Sequence, residues 1–172
     1  ELRLADFDKP VRWTAVFGNE NPVHLEIGSG SGHWTAEFAK LHPDINLMSV
    51  EKYTKQTRRT RDKVERRGLD NVRILRCDGA YFVSEYVGDN SLDAVHVYFP
   101  DPWFKKRHAK RRLVRPDIAP HFLRILKPGA SLHVKTDITA YHEQTLEVLG
   151  AINGLEKAEE RRLDEEYPRD ED

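Results

Sequence analysis

Cysteine is nearly absent from the 172 residues. Cys77 stands alone, which excludes an internal disulfide framework and a cysteine-rich zinc site. Long apolar runs are missing too: no stretch approaches the roughly 18 to 20 residues that a membrane-spanning helix needs. The eight histidines show no H-E-x-x-H or related ligand spacing, so no metal is assigned. The sequence opens at Glu1 with no charged-then-apolar leader, and with one cysteine the expectation is a cytoplasmic protein. What remains is 38% hydrophobic and 33% charged, with a mean hydropathy of -0.71, enough apolar mass for one core in a hydrophilic chain.

The net charge of -1 conceals an uneven distribution. Residues 1–155 carry 24 Lys and Arg against 20 Asp and Glu, whereas residues 156–172 carry 4 against 9. Within the first part, Lys52 to Arg67 holds eight cations and two acids, and Lys105 to Arg115 holds seven cations and no acid. Two basic blocks of this kind suit a polyanion partner.

Short apolar runs alternate with helical patterns. Val23 to Ile27, Ile45 to Val50, Val72 to Leu75, Leu92 to Phe99 and Ser131 to Lys135 read as strands. Helices are expected between them: one after Gly32 with Trp34, Phe38 and Leu41 on a common face, then Tyr53 to Arg67, Ala80 to Val87 and Pro116 to Leu126. A turn is expected at Lys127-Pro128-Gly129, and a last helix over Tyr141 to Leu149. This alternation predicts an α/β fold, Rossmann-like, with a mostly parallel central sheet and helices on both faces. The expected organisation is a lead-in over residues 1–22, one domain over 23–154 and a charged tail over 155–172. In such sheets ligands bind beyond the carboxyl ends of the strands, where the unusual residues of this chain also fall.

Glu26-Ile27-Gly28-Ser29-Gly30-Ser31-Gly32 lies between the first strand and first helix. A dinucleotide fingerprint, G-x-G-x-x-G, would need its third glycine where His33 stands. The G-x-G-x-G spacing suits S-adenosylmethionine instead, a ligand without pyrophosphate; a tight strand-to-helix turn alone would use the same residues. Glu51 ends the second strand, 19 residues beyond Gly32, where an acid can accept ribose hydroxyls. Asp78 ends the third, placed to accept from an adenine amino group. Each acid alone is equally a helix cap or a surface charge.

The fourth strand runs into Phe99-Pro100-Asp101-Pro102-Trp103, followed by Phe104-Lys105-Lys106-Arg107-His108-Ala109-Lys110-Arg111-Arg112. Two prolines restrict the backbone around Asp101, Trp103 offers a stacking face, and the cations can bind phosphates. The bland alternative is an Asx turn and a solvated basic loop. The helix from Tyr53 to Arg67 either extends this surface or is a solvated face.

These segments, with Lys135-Thr136-Asp137 and the lead-in Trp13, Phe17-Gly18-Asn19-Glu20-Asn21-Pro22, resemble the bacterial tRNA (guanine-N7)-methyltransferase family over most of residues 13–150. The resemblance implies a class I methyltransferase fold, S-adenosylmethionine as donor, and guanine of the tRNA variable loop as acceptor. It implies that Glu26, Glu51, Asp78 and Asp101 line the cofactor site beside Gly28, Gly30 and Gly32. It makes Asp101 the catalytic residue and places Lys105 and Asp137 on the substrate. The cationic run itself offers Lys105, Lys106, Arg107, Lys110, Arg111 and Arg112 as phosphate contacts. Phe104 replaces a proline common in that family, and its Thr-x-Phe/Tyr-Glu segment is not found before Asp172. The competing expectation is an RNA-binding module on the same fold without turnover; monomer and homodimer stay equally open.

Overall fold

A computed structural model of the chain describes residues 2–103 and 106–158, with backbone alone for Lys106, Arg107 and Ala109. Five strands, β1 (Val23–Ile27), β2 (Asn46–Glu51), β3 (Val72–Arg76), β4 (Leu92–Tyr98) and β5 (Leu126–Lys135), form one parallel sheet in the order β3-β2-β1-β4-β5. The helices are α1 (Trp13–Phe17), α2 (His33–Leu41), α3 (Thr54–Arg66), α4 (Gly79–Glu85), α5 (Ala119–Ile125) and α6 (Thr139–Gly150). The chain builds outward from β1 to β3 and then crosses back to place β4 on the other side of β1. The order therefore reverses between β1 and β4, the position at which such sheets open a crevice beyond the strand ends.

Strand alternation divides the core. Leu25, Ile27, Val50, Leu75, Val95 and Val97 pack with Phe82 of α4, Phe122 and Ile125 of α5 and Tyr141 of α6. Removing each fully buried phenylalanine from water is worth about 2–3 kcal/mol. Leu47, Val72 and Ile74 form a smaller cluster with Ala39 of α2 and Val64 of α3. The lead-in joins the larger cluster through buried Val11 and Phe17, and Leu2 bridges to Leu75 at the sheet edge.

Three details depart from the sequence reading. Leu41 is 72% exposed, because α2 turns Thr35, Ala36 and Ala39 toward the sheet. The fifth strand begins at Leu126, and the expected turn at Lys127-Pro128-Gly129 is absorbed as an irregularity in its pairing with β4 between Leu92 and Ala94. A short α1 occupies part of the lead-in.

Candidate active site at the carboxyl end of the sheet

The glycine turn leaves β1 with the Gly28 amide still bonded to the Val50 carbonyl, at 2.8 Å. Gly30 has φ of +53°, and a Cβ built there meets nothing within 4 Å, so the backbone lies bare toward open space. Gly32 serves a different need. Its Cβ would lie 2.7 Å from the Thr60 backbone, so only glycine lets α2 start against α3. Ser29 Oγ and Thr60 Oγ1 sit 3.0 Å apart and fasten the turn to α3.

Glu51 holds this turn from the side. Its Oε2 accepts the Gly30 amide at 3.0 Å and its Oε1 accepts the Tyr53 amide at 2.9 Å. Asp78 caps α4, accepting the Tyr81 amide at 3.2 Å, while Lys52 Nζ donates to its other oxygen at 2.9 Å. Burial alone would raise the Asp78 pKa. The Lys52 bond and the amides of Tyr81 and Ala80 outweigh burial and hold it below the ordinary carboxylate range.

Glu26 is the most enclosed acid of the group. Thr35 Oγ1 and Ser49 Oγ both donate to its Oε2, at 2.7 and 2.6 Å, tying β1 to α2 and β2. Burial raises its pKa to about 7 against the two hydroxyl bonds, with the Glu51 charge adding to the rise. On the same sheet face His96 is buried among other rings. Its Nε2 lies 3.1 Å from His24 Nδ1, its Nδ1 lies 2.9 Å from the Tyr98 hydroxyl, and its ring stacks on His133 at 4.9 Å. Burial, then the neighbouring His133 and His24, pushes its pKa down to about 3.

These two groups act on stability with opposite signs. The raised Glu26 pKa contributes stability at low pH that is lost as pH rises from 4.5 through about 7, about 3 kcal/mol in all. The depressed His96 pKa contributes stability present above 6.5 that is lost as pH falls toward about 3, about 4–5 kcal/mol in all. Between pH 6.5 and 4.5 the two nearly cancel, and below 4.5 only the histidine of this pair still acts, beside the depressed Asp78. Urea unfolding is thus expected to show Glu26→Gln losing stability already from pH 6.5 downward. His96→Phe should lose stability less steeply below pH 4.5, keeping the part that Asp78 contributes; a parent-like acid limb in that variant would refute the assignment.

Asp101 follows β4 in a backbone under strain. Phe99 and Trp103 have φ of +49° and +45°, a left-handed region that costs an aromatic residue about 1–3 kcal/mol. These two turns flank Pro100-Asp101-Pro102 and present the Asp101 carboxylate outward, where the Tyr53 hydroxyl donates to its Oδ2 at a long 3.4 Å. Tyr53 therefore links Glu51, through its amide, to Asp101, through its hydroxyl. The Asp137 side chain is exposed just past β5, and Lys135 Nζ lies 5.7 Å from the Tyr98 ring centre.

The basic segment divides. Lys110 is exposed, and the Arg111 guanidinium stacks over Trp103 at 5.0 Å. Arg112 turns inward: it donates to the Pro102 carbonyl at 2.7 Å and to Gln144 Oε1, and lies over the Tyr141 ring. It braces the Asp101 loop, a role that a run of cations does not reveal. Lys105 and the side chain of Arg107 lie outside the described residues. Sequence reasoning passed over Lys52, Tyr53, Thr35 and Ser49. A signal existed for Tyr53, two residues past the strand-end acid; Thr35 and Ser49 are marked only by their buried contact with Glu26. A groove of about 460 Å³ near Arg124, Lys127 and Gly154 opens at the opposite end of the sheet. Its charges are already paired as Asp89–Arg124 and Asp93–Lys127.

A parallel sheet in this order, with a glycine turn after β1 and acids closing β2 and β3, is the Rossmann-like fold of S-adenosylmethionine-dependent methyltransferases. It superposes on the precorrin-6y C5,15-methyltransferase of Geobacter metallireducens with a TM-score of 0.60 at 16% identity, over 77% of this chain and 63% of that one. It also matches a SAM-dependent methyltransferase of Aquifex aeolicus, with a TM-score of 0.55 at 17% identity over 80% and 77% of the two chains. Residues 20–171 match the model of the family described as "Putative methyltransferase", and the chain belongs to that family. Among curated relatives, the tRNA (guanine-N(7)-)-methyltransferase of Cupriavidus metallidurans is 43% identical over 86% of this chain and 56% of its own length. That of Burkholderia cenocepacia is 44% identical over 84% and 56%. The chain thus spans a little over half the length of these relatives.

Proposed function

We propose that this protein methylates N7 of guanine in the variable loop of tRNA, with S-adenosylmethionine as donor. The observation that carries the reading is the junction at Tyr53, which links the cofactor-side carboxylate Glu51 to Asp101 on a strained loop leading into a basic segment. The names of the relatives support the acceptor.

The residues fit such a donor. Gly28 and Gly30 leave open space where side chains would stand, Glu51 and Asp78 supply acceptors for hydroxyl and amino groups, and Glu26 keeps Oε1 clear of both hydroxyls that bond its Oε2. When bound, S-adenosylmethionine supplies an electrophilic methyl group on a sulfonium that departs as a thioether. Guanine N7 brings its own lone pair, so no proton needs to be removed and no strong general base is required. Asp101 would instead orient the purine, accepting from N1–H and the N2 amino group, and offset the positive charge that develops on the ring. Asp137 would offer a second acceptor. Lys110 and Arg111, with Lys105 and Arg107, would hold phosphates and supply affinity rather than base choice.

Incubation of the protein with labelled S-adenosylmethionine and bulk unmodified tRNA, followed by nucleoside analysis, is expected to yield 7-methylguanosine. Cofactor binding without transfer would support the turnover-free RNA-binding module instead. The strained loop gives a second test. Phe99→Gly should keep stability or raise it by about 1 kcal/mol, yet lower kcat about tenfold as Asp101 gains freedom. Parent-like kcat in that variant would show that the strain does not position the carboxylate.

A further inference from the structure

The proposed mechanism draws on the basic segment after Trp103 and leaves the other basic block, α3, without a task. One face of α3 is fixed: Thr57, Thr60 and Val64 are buried, and Thr60 is clasped to the glycine turn at Ser29. Its opposite face begins with exposed Lys55, Arg58 and Arg59, at the spacing that puts three side chains on one helical surface. No acid occurs from Lys52 to Arg61. Three other cations of the block have acidic partners: Lys52 binds Asp78, Arg61 binds Asp62 and Glu65, and Arg67 binds Glu37, whereas Arg66, at the far end, donates to the Asp62 carbonyl. Lys55, Arg58 and Arg59 form no ion pair with any acid among the described residues. Lys55 is also unfavourable for the helix itself, because it lies in the first turn, whose partially positive amides favour acids. Three exposed cations without an acidic partner among the described residues, one of them set against the helix dipole, are poorly explained as a solvated face.

Their placement supplies the explanation. Tyr53, the residue that caps α3, is 52% exposed and donates to Asp101, so this surface adjoins the reacting carboxylate. Lys110 and Arg111 follow the same carboxylate on the β4 side. We infer that Tyr53, Lys55, Arg58 and Arg59 form a second RNA contact, which grips phosphates on the α3 side of Asp101. The cations would bind the backbone, and Tyr53 would offer a ring to an adjacent unstacked base. An RNA strand held on both sides of Asp101 has its register set across the cofactor site. This inference rests on the reading of tRNA as substrate.

The test measures tRNA binding by the whole chain across salt concentrations, for the parent and for Lys55→Gln/Arg58→Gln/Arg59→Gln, with S-adenosylmethionine affinity by calorimetry alongside. Loss of three phosphate contacts should flatten the slope of log K against log salt by about 2. It should weaken tRNA about tenfold or more near 0.15 M salt, while cofactor affinity stays within about twofold. Because the three side chains are exposed and form no ion pair among the described residues, the variant should melt close to the parent. Arg66→Gln, at the far end of α3, should change tRNA affinity less than about twofold. A variant that binds tRNA with parent affinity and slope overturns this inference alone. A parent that binds cofactor but no tRNA overturns the substrate reading, and this inference with it.

Discussion

Asp101→Ala is expected to lower kcat for methyl transfer about 10²- to 10³-fold while changing the cofactor Kd less than about threefold. The split follows from where the carboxylate stands. Among the described residues its hydrogen bond from the Tyr53 hydroxyl is a long one, and it faces outward between two prolines, so removing it orphans no buried partner. Its cost should fall on the reacting complex, where a fixed negative charge aligns the purine and balances its developing positive charge. Asp101→Asn separates the two contributions. The amide keeps one acceptor for the guanine edge but removes the charge, so activity between parent and alanine levels is expected. Equal losses of kcat and cofactor affinity in Asp101→Ala would remove the residue from this role.

Glu51→Ala should behave in the opposite way. Its two oxygens accept amides from Gly30 and Tyr53, and the residue is buried at the junction of β2 and α3. Alanine leaves both amides without that partner at about 1–3 kcal/mol each, so a stability loss of roughly 2–4 kcal/mol is expected in urea unfolding. The glycine turn would lose its lateral support together with the proposed acceptor for the cofactor, and cofactor affinity should fall about 100-fold or more. Glu51→Gln retains one acceptor and turns an NH2 donor toward the other amide; it should recover about half of the stability but little of the affinity. A glutamine variant with parent cofactor affinity would show that Glu51 only braces the turn.

The legible part of this molecule was the part set by local pattern. Alternation within Leu92 to Tyr98 and the glycines after Ile27 are dictated by backbone geometry at neighbouring positions, so the strands and the turn could be read directly. Glu51 can be placed at its strand end because the spacing from a glycine turn to the end of the next strand is set by one helix and one strand, and Asp78 because it closes the following apolar run. Where side chains from distant elements meet, the sequence was silent. Nothing near Arg112 announces that it will grip Pro102 and Gln144 rather than face solvent, since Gln144 arrives from α6. Leu41 looked like a member of an apolar face, yet the turn at Gly32 rotates α2 so that small residues meet the sheet. The pairing of Glu26 with Ser49 and Thr35 depends on the β1–β2 register, in which Glu26 lies opposite Ser49. The same holds for the histidine stack, where His96 of β4 lies opposite His133 of β5.

Methyl transfer as proposed has a single acceptor atom, N7 of a guanine held against Asp101. The most direct measurement compares two tRNA transcripts, one with its natural variable-loop guanine and one with 7-deazaguanine at that position. Both present the same backbone and the same N1 and N2 groups, but the second has carbon in place of the attacking nitrogen. Label from S-adenosylmethionine should enter the first transcript and fail to enter the second, although the two bind with similar affinity. Equal labelling of both would contradict the account, because the methyl group would then be going to another atom.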